Sequence, residues 1–271
     1  MSSSRPAARE LADGKLRLDF PAEHVARLTI HHPAKRNALD HAILDALAET
    51  VPGIEARCLL LTADGPVFSA GYDIGNLPRD EFAHQASALV AHPFHHAIQA
   101  LEDFAFPAVA ALNGHAIGGG LELALSCDLR VAAESALVGM PPARLGLVYS
   151  HTGLRKFIDT IGAARTRELF FVGRSLPASQ AAAWGLVNEV VDDAALARRG
   201  VELAAEIATN APLSLSGNKR VIRELLAAEG ALDERIAREL VALREACFRT
   251  EDFYEGVSAF AEKRAPRWQG R

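Results

Sequence analysis

The stretch NGHAIGGGLELALSCD, which runs from Asn113 to Asp128, decides the fold. An apolar run at 107–112 predicts a buried strand before it. A helix after the glycines is predicted by a stripe of leucines, Leu121, Leu125 and Leu129. A strand, a glycine-rich turn and a helix leave free backbone N–H groups that point at a bound negative charge. Glu122, in the first turn of that helix, is either a helix-stabilising charge or an acid/base, and the stretch alone leaves both open.

Several other glycine motifs are absent from the chain. The turn does not have the GxGxxG spacing of a dinucleotide-binding fold, and no GxxxxGK[ST] phosphate loop occurs. There is also no GxSxG motif, so the strand-turn-helix serine nucleophile is missing. The glycines therefore predict a site for an oxyanion rather than for a nucleotide phosphate.

Composition excludes several broad classes of protein. With 271 residues and 49% hydrophobic content, the chain predicts one large domain, or a domain with a C-terminal appendage. A net charge of −5 argues against a nucleic-acid partner, and no apolar run reaches the ~18 residues of a membrane span. Residues 1–13 lack the apolar core of a signal peptide and predict a flexible tail.

Cysteines and histidines give no sign of a disulfide framework or a metal site. The three cysteines lie far apart, which is typical of buried thiols in a reducing cytosol, so we expect a cytoplasmic protein. The densest histidine group lacks the HExxH pattern and predicts a helix face rather than a metal site; it consists of His92, His95 and His96.

Along the chain, strands and helices alternate. Alternating residues predict paired strands at 15–20 and 25–31, and Asp40 is a candidate N-cap for a helix to about residue 50. Short strands and helices then recur to residue 191, which indicates an α/β core at 14–191 with repeated crossovers. Residues 192–271 are helical in pattern, with breaks at Pro212 and near residues 230 and 250, and we expect them to cover a subunit interface or a ligand.

Five segments together resemble one known family. They are HPAKRNALD, VFSAGYDI, NGHAIGGGLELALSCD, SLPASQAAAWGLVNEVV and SAFAEKRAP. This set is similar to the crotonase, or enoyl-CoA hydratase/isomerase, superfamily and covers nearly the whole chain. The resemblance implies an α/β spiral of ββα units with a C-terminal helical trimerisation region, assembled as a homotrimer or a dimer of trimers. It also implies an acyl-CoA thioester substrate, with coenzyme A as part of the substrate and no permanently bound cofactor.

The resemblance also implies a set of site residues. Two backbone N–H groups, of Tyr72 and Gly119, would hold the thioester enolate in an oxyanion hole, where preorganised donors contribute most. Contacts to coenzyme A would come from Lys35, Arg36, Ala70, Phe260 and Lys263, the last two reaching a neighbouring subunit's pocket. Structural roles are expected for Asn37, Asp73 and Asp128.

The chain departs from the family's hydratases at one catalytic position. Glu122 matches the first of their two glutamates, but Pro142 stands where the second is expected, and proline cannot transfer a proton. One branch, the methylmalonyl-CoA decarboxylases, is similar in having one glutamate and a tyrosine at the position of Tyr149. That branch typically has histidine where this chain has Tyr72, which leaves the substrate open.

Three functions remain from the sequence. The first is decarboxylation of a 2-carboxyacyl-CoA, in which Glu122 and Tyr149 steer the carboxylate and the oxyanion hole stabilises the enolate. The second is hydration of a 2-enoyl-CoA with Glu122 alone, and either reaction would suit fatty acid metabolism. The third, a non-catalytic scaffold or RNA binder, is disfavoured by the acidic charge and the intact GGGLE.

Overall fold

The computed structural model describes residues 7–73, 93–230 and 233–269. The strands of this described part are β1 Arg9–Leu11, β2 Leu16–Ala22, β3 Val25–Ile30, β4 Cys58–Ala63, β5 Val67–Ser69, β6 Ala108–Leu112, β7 His115–Ile117, β8 Leu129–Ala133, β9 Leu137–Gly139, β10 Leu176–Pro177 and β11 Glu189–Val191. The helices are α1 His41–Thr50, α2 Pro93–Asp103, α3 Gly119–Leu125, α4 His151–Val172, α5 Ala178–Ala183, α6 Leu196–Ala208, α7 Pro212–Gly230, α8 Glu234–Cys247 and α9 Glu251–Ala261.

Two sheets form the core. The larger one has the order β1-β2-β3-β4-β6-β8-β11, and the smaller one has the order β10-β9-β7-β5. From β3 to β11 the large sheet is parallel, whereas β1, β2 and β3 pair as antiparallel neighbours. Every residue of β6 is buried, as expected for a strand covered on both faces. The predicted α/β architecture is therefore confirmed.

Two details of the central stretch differ from the prediction. The leucine stripe does not continue through Leu129, because α3 ends at Leu125 and the chain reverses before pairing with β6. Leu129 begins β8, which confirms the short strand that the sequence also predicts at 129–132. The three-residue strand β7 between the glycines was not predicted, since so short a strand gives no period to read. It pairs with β5 and β9, and so ties the glycine turn to the segment that carries Tyr72.

The N-terminal boundary also needs a correction. Residues 9–11 form β1, in which Arg9 pairs with Leu18 and Leu11 pairs with Leu16. The expected flexible tail at 1–13 is therefore wrong for these residues, because backbone hydrogen bonds to β2 hold them at the sheet edge. Residues 1–6 lie outside the described part of the chain.

The region after residue 192 is helical, with breaks where they were predicted. Helix α7 begins at Pro212 and ends at Gly230, α8 begins after the N-cap Asp233, and α9 begins after the N-cap Thr250; residues 231 and 232 lie outside the described part. Of the helix that the sequence predicts at 79–103, the structure describes residues 93–103 as α2, and residues 74–92 lie outside the described part. Helix α4 contains both of the helices that the sequence predicts at 153–161 and 164–172, and they join at Gly162, which has a non-helical φ of 74°.

No helix in the described ranges is both long and apolar enough to cross a membrane. The three cysteines are free thiols, and all of them are buried. A cytoplasmic location stays a prediction.

Candidate active site

The three consecutive glycines have three different local environments. Gly118 adopts a φ of +57°, a conformation that side chains rarely adopt. A Cβ on Gly119 would lie 3.1 Å from the Tyr72 ring, and a Cβ on Gly120 would lie 2.6 Å from Ser69. Gly119 therefore faces the Tyr72 side of the predicted site, Gly118 provides the positive φ of the turn, and Gly120 packs against β5.

The predicted oxyanion donors lie on adjoining backbone segments. Leu39 N–H donates to the carbonyl of Gly71 (2.8 Å) and Asp73 N–H donates to the carbonyl of Leu39 (3.2 Å), so the Tyr72 N–H points to the opposite side. A Cβ on Gly71, where φ is +89°, would come within 3.2 Å of the Gly119 nitrogen. As the first residue of α3, Gly119 has an N–H without a partner inside the helix. Two N–H groups can thus converge on one oxygen.

Glu122 and Tyr149 form a buried pair beside these donors. The side chains are 4% and 8% exposed, and the Tyr149 hydroxyl donates a hydrogen bond to Glu122 Oε2. The other carboxylate oxygen faces the first turn of α4, where a Cβ on Gly153 would lie 2.8 Å from Oε1. The structure thus brings together the two side chains that the sequence assigned to the same reaction, and their roles in catalysis stay a prediction.

Burial controls the electrostatics of the cluster. Desolvation raises the pKa of Glu122 to about 7, although the Tyr149 hydrogen bond and the charge of Arg244 both act to lower it. Desolvation and the Glu122 charge raise the pKa of both phenols, Tyr72 and Tyr149, well above the usual range. At neutral pH the cluster therefore contains two neutral phenols and one carboxyl that can both give and take a proton.

Two further residues reach the cluster, and the sequence did not predict either of them. Arg244 lies on α8, and Phe248 is the C-cap residue of that helix. Arg244 and Phe248 line a small cavity of about 10 Å³ together with Tyr72, Tyr149 and the 147–150 segment. Their spacing, with Cys247 between them, is that of one helix face, which is the only sequence signal they carry. What they face depends on how α8 docks, which sequence spacing cannot reveal.

Tyr72 shapes the same cavity. Its ring packs edge-on against Phe94 of α2, with centroids 4.8 Å apart, and lies over Gly119. A cavity of about 10 Å³ has room for about one water. An acyl group can therefore enter only if one or more of the lining side chains move.

The predicted contacts to coenzyme A are spread over two places. Lys35 and Arg36 lie at the end of a short 3₁₀ helix beside the Tyr72 segment, where Lys35 Nζ is 2.9 Å from Asp73 Oδ2 and the Ala70 N–H donates to the Arg36 carbonyl (3.0 Å). Phe260, which is 65% exposed, and the exposed Lys263 lie at the end of α9 and beyond it. These two are therefore not part of the buried Glu122 cluster of their own chain.

The residues expected to be structural make bonds that fit that role. The buried Asn37 amide donates to the carbonyls of Asp64 and Val67, at 2.8 and 2.6 Å. Asp128 accepts from the Ala108 N–H (2.7 Å) and from Lys219 (2.9 Å), so it joins β6 to α7. Among the described residues, no group of His, Cys, Asp and Glu side chains is placed to hold a metal ion, and His92 lies outside them.

The pKa of Glu122 predicts a pH-dependent cost in stability. In the unfolded chain the group titrates near 4.5, and in the folded protein it titrates near 7. The folded state therefore holds the proton longer, and its stability falls as pH rises through this window, with the loss complete above pH 7. At 1.36 kcal/mol per pKa unit the loss is on the order of 3 kcal/mol.

Glu122→Gln should remove this loss, because the amide carries no charge at any pH. Urea denaturation of both proteins at pH 4.5 and pH 8 measures it: the parent should lose stability relative to the variant on going to pH 8. An identical pH dependence in the two proteins would mean that Glu122 does not titrate in this window.

Similar proteins are known from both sequence and structure. The enoyl-CoA hydratase/isomerase family model matches residues 21–271. The chain is 34% identical over 256 residues to 2,3-dehydroadipyl-CoA hydratase of Escherichia coli (strain K12), covering 92% of this chain and 96% of that protein. It is 34% identical over 260 residues to carnitinyl-CoA dehydratase of Salmonella typhi, covering 91% and 95%.

Solved structures agree with the sequence comparison. The structure of a methylmalonyl-CoA decarboxylase in complex with 2-nitronate-propionyl-CoA superposes with a TM-score of 0.84 at 29% identity, covering 95% of this chain and 99% of that one. The fold is thus that of an acyl-CoA-processing class of enzyme. This chain belongs to the enoyl-CoA hydratase/isomerase family. The resemblance drawn from the sequence, and the crotonase-like fold it implied, are confirmed.

Proposed function

We propose that this enzyme decarboxylates a 2-carboxyacyl-CoA thioester. The observation that carries the proposal is that Glu122 is the only carboxylate in the buried cluster as far as the described residues show, and that a phenol is hydrogen-bonded to it. Pro142, where hydratases of this family are expected to have a second acid, is buried at the start of a 3₁₀ helix. One acid with a phenol suits a reaction that needs only one proton transfer.

In the proposed reaction the bond between the α-carbon and the carboxylate breaks, and its electron pair moves into the thioester to give an enolate and CO₂. The N–H groups of Tyr72 and Gly119 hold the enolate oxygen, which is where preorganised donors lower the barrier most. Glu122, with its pKa of about 7, or a water then supplies the proton to the α-carbon. Tyr149 holds the Glu122 carboxyl in place.

The proposal is tested with a panel of acyl-CoA thioesters, with and without an α-carboxylate, scored by mass. Loss of CO₂ from a 2-carboxyacyl-CoA, with no gain of water by 2-enoyl-CoA thioesters, is the expected result. Gain of water alone would replace decarboxylation by the second candidate, hydration.

Hydration is retained because of one specific observation. A carboxylate with a pKa of about 7 is suited to act as a general base toward water, which is the role of the first hydratase glutamate. The names of the sequence relatives, which include hydratases and a dehydratase, favour the same reaction. Against it stands the lack of a second acid at Pro142.

Pro142→Glu separates the two functions by the sign of its effect. In a decarboxylase, a second carboxylate near an anionic substrate adds like-charge repulsion, so CO₂ release should fall by about tenfold, which corresponds to about 1.4 kcal/mol. In a hydratase it restores the missing acid, so water addition should rise. The measurement is kcat/KM for both reactions, and Pro141→Glu, one residue earlier, is the matched control.

We further propose that the enzyme assembles as a trimer or a dimer of trimers through its C-terminal helices. Helix α7 exposes large apolar side chains, which indicates a surface that meets another chain; they are Leu213, Val221, Ile222, Leu225 and Leu226. Sedimentation at micromolar concentration should give a trimer or hexamer. A monomer would contradict this assembly, and with it the shared coenzyme A pocket to which Phe260 and Lys263 would contribute.

A further inference from the structure

Arg244, a partly buried residue beside the cluster, stands out because its charge has no matched partner among the described residues. The Nε atom is buried and makes no hydrogen bond in the described part of the chain. No carboxylate of the described residues lies within ion-pair distance of the Arg244 guanidinium; Glu122 feels its charge only through space. A buried N–H group left without an acceptor is costly, so this arrangement favours a ligand that brings an acceptor to Nε, and an anion would also match the guanidinium charge.

The position of Arg244 is fixed by the residue one turn further along α8. The Cys247 thiol donates to the Gly146 carbonyl (2.8 Å) and accepts from the Val148 N–H (3.3 Å). Arg244 and Cys247 are three residues apart and share a helix face. Helix α9 packs tightly on the same loop, since a Cβ on Gly256 would lie 2.5 Å from the Leu145 carbonyl group. The guanidinium is thus held beside the cavity.

The charges around the cavity favour an anionic guest. Tyr72 and Tyr149 are neutral at pH 7, Glu122 is ionised only in part, and an arginine is always charged. Burial lowers the pKa of His151, and the positive charge of Arg244 lowers it further. His151 therefore adds little positive charge to the site. The described residues of the site are together neutral to positive, and one ligand carboxylate would balance them.

We propose that Arg244 recognises a carboxylate carried by the acyl group, and so sets the substrate preference of this site. This inference rests on the proposed acyl-CoA function and names the group that selects its substrate. The planar guanidinium matches a carboxylate in two parallel hydrogen bonds, and it lines the same cavity as Tyr72, whose N–H would hold the thioester oxygen. The recognised carboxylate therefore lies near the reacting carbon.

Arg244 is a specificity residue rather than a catalytic group in this scheme. The carboxylate loses its negative charge as CO₂ departs, so its interaction with the guanidinium weakens toward the transition state and contributes to binding rather than to the rate. Arg244→Gln should accordingly raise KM for a 2-carboxyacyl-CoA by at least about tenfold while kcat changes little. A residue with a purely structural role would lower kcat for all substrates alike.

The decisive experiment uses two unreactive thioethers, 2-carboxypropyl-CoA and propyl-CoA, with binding measured by calorimetry on the full-length protein. The parent should prefer the carboxylated probe by roughly tenfold to a hundredfold, the range expected for hydrogen bonds to a charged group. Arg244→Gln should abolish the preference without weakening propyl-CoA, which serves as the check on folding. Arg244→Lys should retain part of it.

Arg238→Gln is the matched control, since Arg238 lies on the same helix with its side chain 74% exposed and its nearest acid is Glu234. Its probe preference should equal that of the parent. A parent without any preference, or an Arg244→Gln variant that keeps it, would overturn the inference. If the preference is present and lost in Arg244→Gln while no 2-carboxyacyl-CoA releases CO₂, the inference stands and decarboxylation is wrong.

Discussion

Gly119→Ala is expected to lower kcat by roughly 10²–10³, the usual cost of losing one donor of an oxyanion hole. A Cβ at this position would lie 3.1 Å from the Cε1 and Cζ atoms of Tyr72, closer than a side chain tolerates without a shift. The Tyr72 ring must give by a few tenths of an ångström, and the added Cβ pushes the oxygen away from its two N–H donors. Binding of the acyl-CoA should change much less than its turnover, because the donors act most strongly on the enolate.

Steady-state kinetics with the best substrate of the panel measures the effect. Gly217→Ala is the matched control, since a Cβ there meets nothing within 4 Å. Removing the ring in the double variant Gly119→Ala/Tyr72→Ala should restore part of the rate if contact with the ring causes the loss. An unchanged kcat in Gly119→Ala would mean that the Gly119 N–H does not hold the developing oxyanion.

Glu122→Gln is expected to lower the rate of CO₂ release by roughly tenfold to a hundredfold. That is at or below the lower end of the 10²–10⁴ typical of a general acid or base, because water can protonate the enolate in its place. The amide oxygen can still accept the hydrogen bond from Tyr149, so the geometry of the cluster should persist. For a hydratase the same change removes the only general base, and turnover should disappear.

The measurement is CO₂ release and water addition by Glu122→Gln, each against the parent. Glu134→Gln, on an exposed residue just after β8, is the control for loss of one surface charge. Complete loss of turnover in Glu122→Gln, together with faster hydration by Pro142→Glu, would establish hydration instead of decarboxylation.

The elements with strong local patterns were predicted well. The paired strands β2 and β3, the Asp40 N-cap of α1, and the breaks between α6, α7, α8 and α9 all follow from side-chain period and from capping or proline residues. Elements of two or three residues were harder, as β1 and β7 illustrate. So short a strand exists because a neighbouring strand supplies its hydrogen bonds, and that neighbour is distant in sequence.

The features of the candidate site likewise fall into two groups, those that the sequence determined and those that only the tertiary structure decided. By itself the sequence determined the family motifs, the single glutamate Glu122 and the absence of an acid at Pro142, because these depend only on residue identity at fixed spacings. Only the tertiary structure decided that Tyr149 meets Glu122, that the Tyr72 ring covers Gly119 and that Arg244 joins the cluster. These contacts link residues from 27 to more than a hundred positions apart. Burial between such distant segments raises the pKa of Glu122, and it leaves Arg244 Nε without a hydrogen-bond partner among the residues that the structure describes.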